Sequence, residues 1–317
     1  MVVFPLSRLR RRVWWVSLLV LLISSLGLLL CWTNPSIQAP LRPGLDFTGG
    51  TQIQLERACG ATCSQLRVSE VQASLAKLSL PQQDGIPAPD LASARVQLLD
   101  RGQSLVLRLP TLTAAQGQAL IQALQPVAGP FQAGGEAVDT IGPTLGSQLL
   151  RSSLISLAVA FIGISAYISV RYDRRYAFLA LVALAHDVVI VCGLFAWLGL
   201  LISLEVDSLF AVALLTIAGY SVNDTVVVFD RIRERQRLDD ALSLPEQVDN
   251  AVNATLTRTL YTSCTTLLPL LALILFGGAT LYWFAIALAV GVVVGSWSSI
   301  ALAPSLLMLW SQQRRGA

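Results

Sequence analysis

Six long apolar segments, residues 13–31, 149–170, 177–201, 209–229, 259–276 and 281–310, constrain this chain more than anything else in it. The hydrocarbon core of a bilayer is about 30 Å thick and an α-helix rises about 1.5 Å per residue, so roughly 20 mostly apolar residues cross it. The sixth segment is long enough to tilt or to rest one end on the membrane surface. Composition agrees: 54% of the 317 residues are hydrophobic and 13% are charged, against about 25% charged in a soluble chain. That excludes a soluble globular protein, a disordered chain and a nucleic-acid binder. The expected fold class is an all-α polytopic membrane bundle of six transmembrane helices.

The net charge is only +3, and its placement says more than its size. Arg8, Arg10, Arg11 and Arg12 precede the first segment, and Arg171, Arg174 and Arg175 separate the second from the third. Arg231, Arg233, Arg235 and Arg237 follow the fourth, and Arg314 and Arg315 follow the sixth. The short opposite loops, 202–208 and 277–280, contain no Lys or Arg. Basic short loops stay cytoplasmic. Both termini are therefore expected inside, with cytoplasmic tails at residues 1–12 and 311–317 and a cytoplasmic loop at 230–258. Within that loop, residues 238–254 read as a surface helix begun by Pro245 and Glu246. The first apolar run exceeds the 7–15 residues of a signal-peptide core, and no small-x-small pair near Cys31 leads to a cleavage point, so it reads as an uncleaved anchor.

Residues 32–148 are long and polar enough to form one small extracytoplasmic domain with its own core. Alternation over 51–56, with Ile53 and Leu55 on one face, predicts a strand. Ser69 and Gln72 resemble a capping box that opens a helix with Val71, Leu75 and Leu78 on one side. Residues 95–99 and 105–109 alternate again around Asp100-Arg101-Gly102-Gln103, a hairpin signal. Thr113 and Gln116 form a second cap before Leu120, Ile121 and Leu124. Residues 132–141 supply a last strand that Gly134-Gly135 weakens. The order β-α-β-β-α-β is that of an α+β ferredoxin-like split βαβ unit, a fold with many functions. Cys59 and Cys63 lie in this domain, where a disulfide is permitted. Their spacing leaves a mutual bridge, a bridge to a companion chain and two free thiols all open. Cys31, Cys192 and Cys264 fall in apolar segments and read as packing residues. No cysteine and histidine set has metal-ligand spacing, and neither a metal nor another cofactor is expected.

The residues that interrupt the apolar runs point to function. His186, the one histidine, and Asp187 stand in the third segment, and Asn223 and Asp224 stand in the fourth. Arg258 opens the fifth, which also carries Thr259, Thr262, Ser263, Thr265 and Thr266. An ionised Asp at the centre of a spanning helix costs about 2.5–3.5 kcal/mol on insertion scales, so its face must turn into the bundle. Counting from the basic edge puts Asp187 about 15 Å deep and Asp224 about 9 Å deep. On antiparallel neighbours the two carboxylates can share one interior layer, which Arg258 approaches from the same side. Desolvation disfavours an ionised carboxylate and a nearby guanidinium favours it, so a movable Asp–Arg contact can take up and release a proton. Plainer readings stand beside this one: Arg258 snorkelling to the headgroups, and Asp187 with His186 as a static buried pair. Gly291 and Gly295 suit close helix packing, and Pro269 and Pro304 are expected to kink or loosen their helices.

These residues carry a resemblance. Gly44-Leu45-Asp46-Phe47-Thr48-Gly49-Gly50 resembles the opening motif of the SecD/SecF family of protein-export membrane proteins, and Ala185-His186-Asp187-Val188-Val189 resembles its third-span motif. The run Ala218-Gly219-Tyr220-Ser221-Val222-Asn223-Asp224-Thr225-Val226-Val227-Val228-Phe229-Asp230-Arg231-Ile232-Arg233-Glu234 is similar to its fourth-span signature. Arg258-Thr259-Leu260-Tyr261-Thr262-Ser263, Thr265-Thr266 and Phe276-Gly277-Gly278 resemble the fifth. Phe47 favours the SecF side of the family over the SecD side. The likeness runs from about residue 44 to the sixth segment, and residues 58–95 and the tails lack a match. It implies half of a twelve-helix assembly related to the resistance-nodulation-division (RND) exporters, with SecD supplying the other half and a further membrane acid. Asp224 and Arg258 match the family's proton-coupling residues and Asp187 its third-span acid, with His186 and Asn223 beside them. Asp46, Phe47, Gly49 and Gly50 form the family motif of the outer domain, which is expected at the periplasmic base of a larger SecD domain.

The resemblance implies a chain that, with SecD, uses the proton-motive force to assist late steps of preprotein export. Its implied partners are SecD, the Sec translocation channel, the translocating preprotein and membrane lipid, with no nucleic acid. The implied location is the bacterial inner (plasma) membrane, or a thylakoid-type membrane in a cell that has one. One charge crossing 100 mV supplies about 2.3 kcal/mol, enough to bias a domain between two positions. An alternative is half of an RND-type proton-coupled exporter of lipids or small hydrophobic molecules, and the partner that co-purifies separates the two. An intramembrane aspartyl protease would want Gly-x-Gly-Asp where Asp224 follows Ser221-Val222-Asn223. A metalloprotease would want His-Glu-x-x-His, which one histidine cannot supply. No nucleotide-binding loop is present, and the chain is not expected to be an enzyme.

Overall fold

Helices form over all six apolar runs, and several extend beyond them. The computed structural model describes residues 4–59, 66–80, 89–99, 102–238 and 242–313. In chain order its elements are α1 (Leu6–Thr33), α2 (Leu45–Thr48), β1 (Gly50–Arg57), α3 (Val68–Lys77), β2 (Arg95–Leu99), β3 (Ser104–Leu109), α4 (Ala114–Ala128), β4 (Phe131–Ile141), α5 (Pro143–Arg171), α6 (Arg174–Leu201), α7 (Ser208–Leu238), α8 (Leu244–Phe276), α9 (Gly278–Trp297), a π-helical turn (Ser298–Leu302) and α10 (Ala303–Gln313). Among the described residues, six helical stretches are long and apolar enough to cross a membrane: α1, α5, α6, α7, α8 and Leu281–Trp310. The chain divides into one unit of Met1–Pro43 with Ser153–Ala317 and another of Gly44–Ser152.

In the first unit, two helices run past the expected segment limits. α7 continues through 230–238, and the expected surface helix joins the fifth span in one 33-residue helix, α8. Residues 229–238 and 246–268 hold no Gly or Pro, and a backbone hydrogen-bond ladder does not stop at a membrane surface. At about 1.5 Å per residue α8 is about 50 Å long, more than the hydrocarbon core. Its start matches the sequence signal: the Ser243 backbone N–H and Oγ–H both donate to Glu246 Oε2, at 2.9 and 2.7 Å, with Pro245 in the first turn. Ser7 N–H and Oγ–H donate to Asp249, and Phe4 and Asn253 exchange two hydrogen bonds, which ties the start of α1 to this part of α8.

α8 runs through Pro269, whereas Pro304 follows directly on the π turn. Pro304 has no N–H to give the carbonyl one turn back, and the extra residue per turn falls where that bond is missing. The helices of this unit pack closely where side chains vanish. A Cβ on Gly291 would clash with Ile217 Cγ1, so α9 and α7 could not approach as they do with Ala there. By contrast, only 6% of the apolar window of α5 is buried, against 56% in α6 and in α7.

The second unit orders its strands β2-β3-β1-β4, every neighbour antiparallel. Ile53 faces Leu107 and Leu55 faces Leu105 in the central pair, and these pack with Val71 and Leu75 of α3 and Leu120, Ile121 and Leu124 of α4 in one core. The second cap is a full capping box: Gln116 N–H donates to Thr113 Oγ1 and Thr113 N–H to Gln116 Oε1. The first expected cap does not form. α3 begins at Val68 after an extended Arg67, with no side-chain cap, which leaves Ser69 inside the helix. β4 forms despite Gly134, because it pairs with β1 along most of its length. Cys59 is disulfide-bonded; Cys63, Asp100, Arg101, Arg314 and Arg315 lie outside the described residues.

Arg57 closes this core although it is charged. It is 6% exposed, and its guanidinium donates to Ala128 O at the end of α4 and to Gly102 O in the hairpin. Hydrogen bonds to a charged group contribute about 1.5–3 kcal/mol each. Arg57→Leu is expected to destabilise this unit by about 2–4 kcal/mol. Hydrogen exchange should then speed up in β1, α4 and the hairpin. Unchanged protection there would refute the clamp.

Candidate functional site

α6, α7 and the last span meet at Asp187, which is fully buried. His186 Nδ1 lies 2.9 Å from its Oδ1, and Ser221 of α7 and Ser298 of the π turn each donate to Oδ2 at 2.6 Å. One buried carboxyl group thus joins three spans, and hydrogen bonds satisfy both of its oxygens. The π turn brings two adjacent hydroxyls inward. Ser298 reaches Asp187, while Ser299 meets Thr225 Oγ1 at 2.9 Å and donates to the Ser221 carbonyl. Farther along, Tyr220 donates to Ser263, which in turn meets Ser296 at 2.6 Å. Sequence reasoning missed Ser221, Thr225, Ser296, Ser298 and Ser299 as site residues. A lone Ser or Thr in a membrane helix bonds its own helix carbonyl and raises no alarm; the available signal was Ser221 and Thr225 four residues apart, next to the Asp224 position.

Asp224 sits one turn along α7 from Ser221, about 4.5 Å by helical rise. It is 4% exposed, and its Oδ2 is buried without a hydrogen-bond partner. The expected contact with Arg258 is not made: among the described residues no ion pair within 4.0 Å joins them. α8 turns Thr255 and Thr259 inward, and a helix rotates about 100° per residue, which carries Arg258 to the edge of the interface, where it is exposed. The same rotation puts Asn223 on the exposed side of α7 while Asp224 faces in. Arg258 lines a cavity of about 380 Å³ between α7 and α8 with Val227, Asp230, Arg231, Glu234, Ala254 and Thr255. The set expected as one cluster is therefore three: His186 and Asp187 in the hydroxyl cage, Asp224 one turn away, and Arg258 in the adjoining cavity.

At the arginine-bearing end, Asp230 accepts from Arg171 at 2.9 Å and from the Tyr172 hydroxyl at 2.9 Å. Burial, followed by the Asp230 hydrogen bond, pushes the Tyr172 phenol up from its ordinary value, so it stays a donor. The guanidinium groups of Arg171 and Arg233 flank its ring at 5.2 and 5.3 Å.

In the second unit Leu45–Thr48 makes one helical turn holding Asp46 and Phe47, and Gly49 and Gly50 end it with φ of +69° and +125°. A Cβ on Gly50 would meet Leu109 O at 2.6 Å, and one on Gly49 would meet Pro143 Cα at 2.9 Å. The pair is thus required by backbone conformation and by the close approach of β3 and the start of α5.

The family profile "Protein export membrane protein SecD/SecF, C-terminal" matches residues 122–313, the stretch that holds all three parts of the site. The chain belongs to the SecD/SecF family. Its SecD/SecF GG motif matches over residues 37–61, around Gly49-Gly50. A relative named Protein translocase subunit SecF, from Prochlorococcus marinus, is 56% identical over 306 residues, 96% of this chain and 95% of the relative. Another SecF, from Synechocystis, is 42% identical over 304 residues, 95% of this chain and 92% of the relative. Among solved structures, SecDF from Thermus thermophilus, a translocon-associated membrane protein, matches with a TM-score of 0.79 at 32% identity. That match covers 98% of this chain but 39% of the SecDF chain, so this SecD/SecF-family member spans about two fifths of it. With six candidate membrane helices and SecF relatives, it is a multi-pass membrane protein.

Proposed function

We propose that the chain is a SecF-like subunit that, with SecD, uses the proton-motive force to assist late steps of preprotein export. The observation that carries this is 56% identity across 96% of the chain to a protein translocase subunit SecF. Support for SecD as partner comes from the relative named Protein translocase subunit SecDF, in which this chain matches 35% of the length at 35% identity. The bare flanks of α5 and α8, with 6% and 17% of their apolar windows buried, suit a partner inside the membrane, and SecD would complete a twelve-helix RND-type assembly. The strand order and the shared core of α3 and α4 favour a ferredoxin-like outer domain. The arginine pattern favours both termini in the cytoplasm, with the chain in the bacterial inner membrane or a thylakoid-type one. Further partners in this reading are the translocation channel, the moving preprotein and lipid. The protein works without enzymatic chemistry or a cofactor.

Asp224 is the proton-bearing group in this reading and Arg258 its charge partner. Ionised, Asp224 draws the guanidinium toward it; protonated, it lets go and α7 and α8 repack. A ligand or proton shifts a two-state element only by favouring one state, and this contact does so. The test is reconstitution with SecD and the channel in vesicles. An imposed proton gradient is expected to raise preprotein export, and the rise should vanish when this chain is left out. If the chain co-purifies with a second exporter half and adds no gradient-dependent export, the proposal fails.

A further inference from the structure

We propose that Glu234 is a second station for Arg258, whose guanidinium alternates between the buried Asp224 and Glu234 through the cavity between α7 and α8. The inference rests on the function proposed above and names a positioning residue for it. Asp224, Val227, Arg231 and Glu234 follow one another at i, i+3, i+7 and i+10, which puts them on one stripe of α7. Val227, Arg231 and Glu234 line the cavity with Arg258, and Asp224 continues their stripe into the buried interior. Arg258 thus stands beside a row that has a carboxylate at its dry end and another at its wet end, about 15 Å apart along the helix. Among the described residues it is ion-paired to neither.

The commitments of the other charges select Glu234. Among the described residues, every charged group lining the cavity comes from α7 or α8: Asp230, Arg231, Glu234 and Arg258. Asp230 is already held by Arg171 at the end of α5 and by the hydroxyl of Tyr172, which follows it. Glu234 is 51% exposed and bonded to Arg231 of its own helix turn. An exposed pair of that kind contributes little and exchanges readily, so Glu234 can accept a second guanidinium. When Asp224 is neutral, Glu234 holds Arg258 in the cavity. When Asp224 ionises, the buried charge is the stronger attractor, because attraction grows as the surroundings become less polar. Without the outer station the guanidinium has a carboxylate at one end only, and the proton no longer decides its position.

The experiment measures the ratio of export with and without an imposed proton gradient, in vesicles holding the full chain, SecD and the channel. Glu234→Gln is expected to lower the gradient-driven increment about fivefold or more. Glu234→Asp should restore it to within about twofold, and Glu234→Gln should add no further loss to Asp224→Asn, since both act on one arginine. Arg231→Gln, which removes the competitor for Glu234, should keep the increment. The proposal is overturned if Glu234→Gln keeps the parent's increment, if Glu234→Asp fails as badly, or if Arg231→Gln loses as much, which would make the Arg231–Glu234 pair itself the requirement. Should Asp224→Asn keep the parent's gradient response, the reading of Asp224 fails first. Should Asp224→Asn lose the response and Glu234→Gln keep it, only the second station is lost.

Discussion

Asp224→Asn is expected to remove the gradient-dependent part of export, by about tenfold or more, and to leave the protein folded and bound to SecD. The substitution keeps the size of the side chain and removes its ability to ionise. Asp224 is 4% exposed and its Oδ2 has no hydrogen-bond partner. No existing bond to that oxygen is broken by an amide, and the stability change should stay within about 1 kcal/mol. Asn at this position imitates the protonated acid in every step of the cycle, so Arg258 receives no signal to approach. The measurement is preprotein translocation against the size of the imposed gradient. A slope equal to the parent's would show that Asp224 is a passive buried acid. Asp224→Glu, which titrates but reaches one carbon farther, should keep part of the slope.

What could be read beforehand, and what could not, follows from how local each signal is. The membrane helices were legible because hydropathy accumulates over about twenty residues, and β1 through β4 because alternation, the hairpin residues and the Thr113–Gln116 box are short-range patterns. Helix ends were less so: nothing in apolar content says that α7 continues to Leu238 or that the helix begun at Leu244 runs unbroken into the fifth span. The site was legible in its charged members, since an acid in an apolar run is costly wherever it faces. Their grouping was not. Whether Asn223 faces in with Asp224, or Arg258 with Thr259, depends on the rotation of one helix against another, which a hydropathy pattern with many apolar faces leaves open. Ser298 and Ser299 were least visible of all, because their inward direction comes from the π turn before Pro304.

The cage around Asp187 leads to an opposite expectation for the third-span acid. Asp187→Ala should destabilise the membrane unit by about 3–5 kcal/mol, the usual result of breaking one side of a buried charged contact. The hydroxyls of Ser221 and Ser298 would lose their acceptor and the imidazole of His186 its partner in the buried interior. Asp187→Asn keeps one acceptor oxygen and should lose less, and Ser298→Ala, which removes one donor, about 1–2 kcal/mol. Denaturation of the vesicle-embedded protein, followed by the fraction retaining SecD, orders the three variants; Asp187→Ala as stable as the parent would refute the cage. Stability alone does not separate the two acids, and the gradient response does. Asp187→Asn, once folded, is expected to respond to the gradient within about twofold of the parent, because a group held by partners from three spans has little freedom to move. Asp224 has the reverse arrangement, with an oxygen lacking a donor and an arginine within reach but not bound. In the proposed mechanism the fixed acid holds α6, α7 and the last span as a frame, and the loosely held one is what lets α8 shift against it.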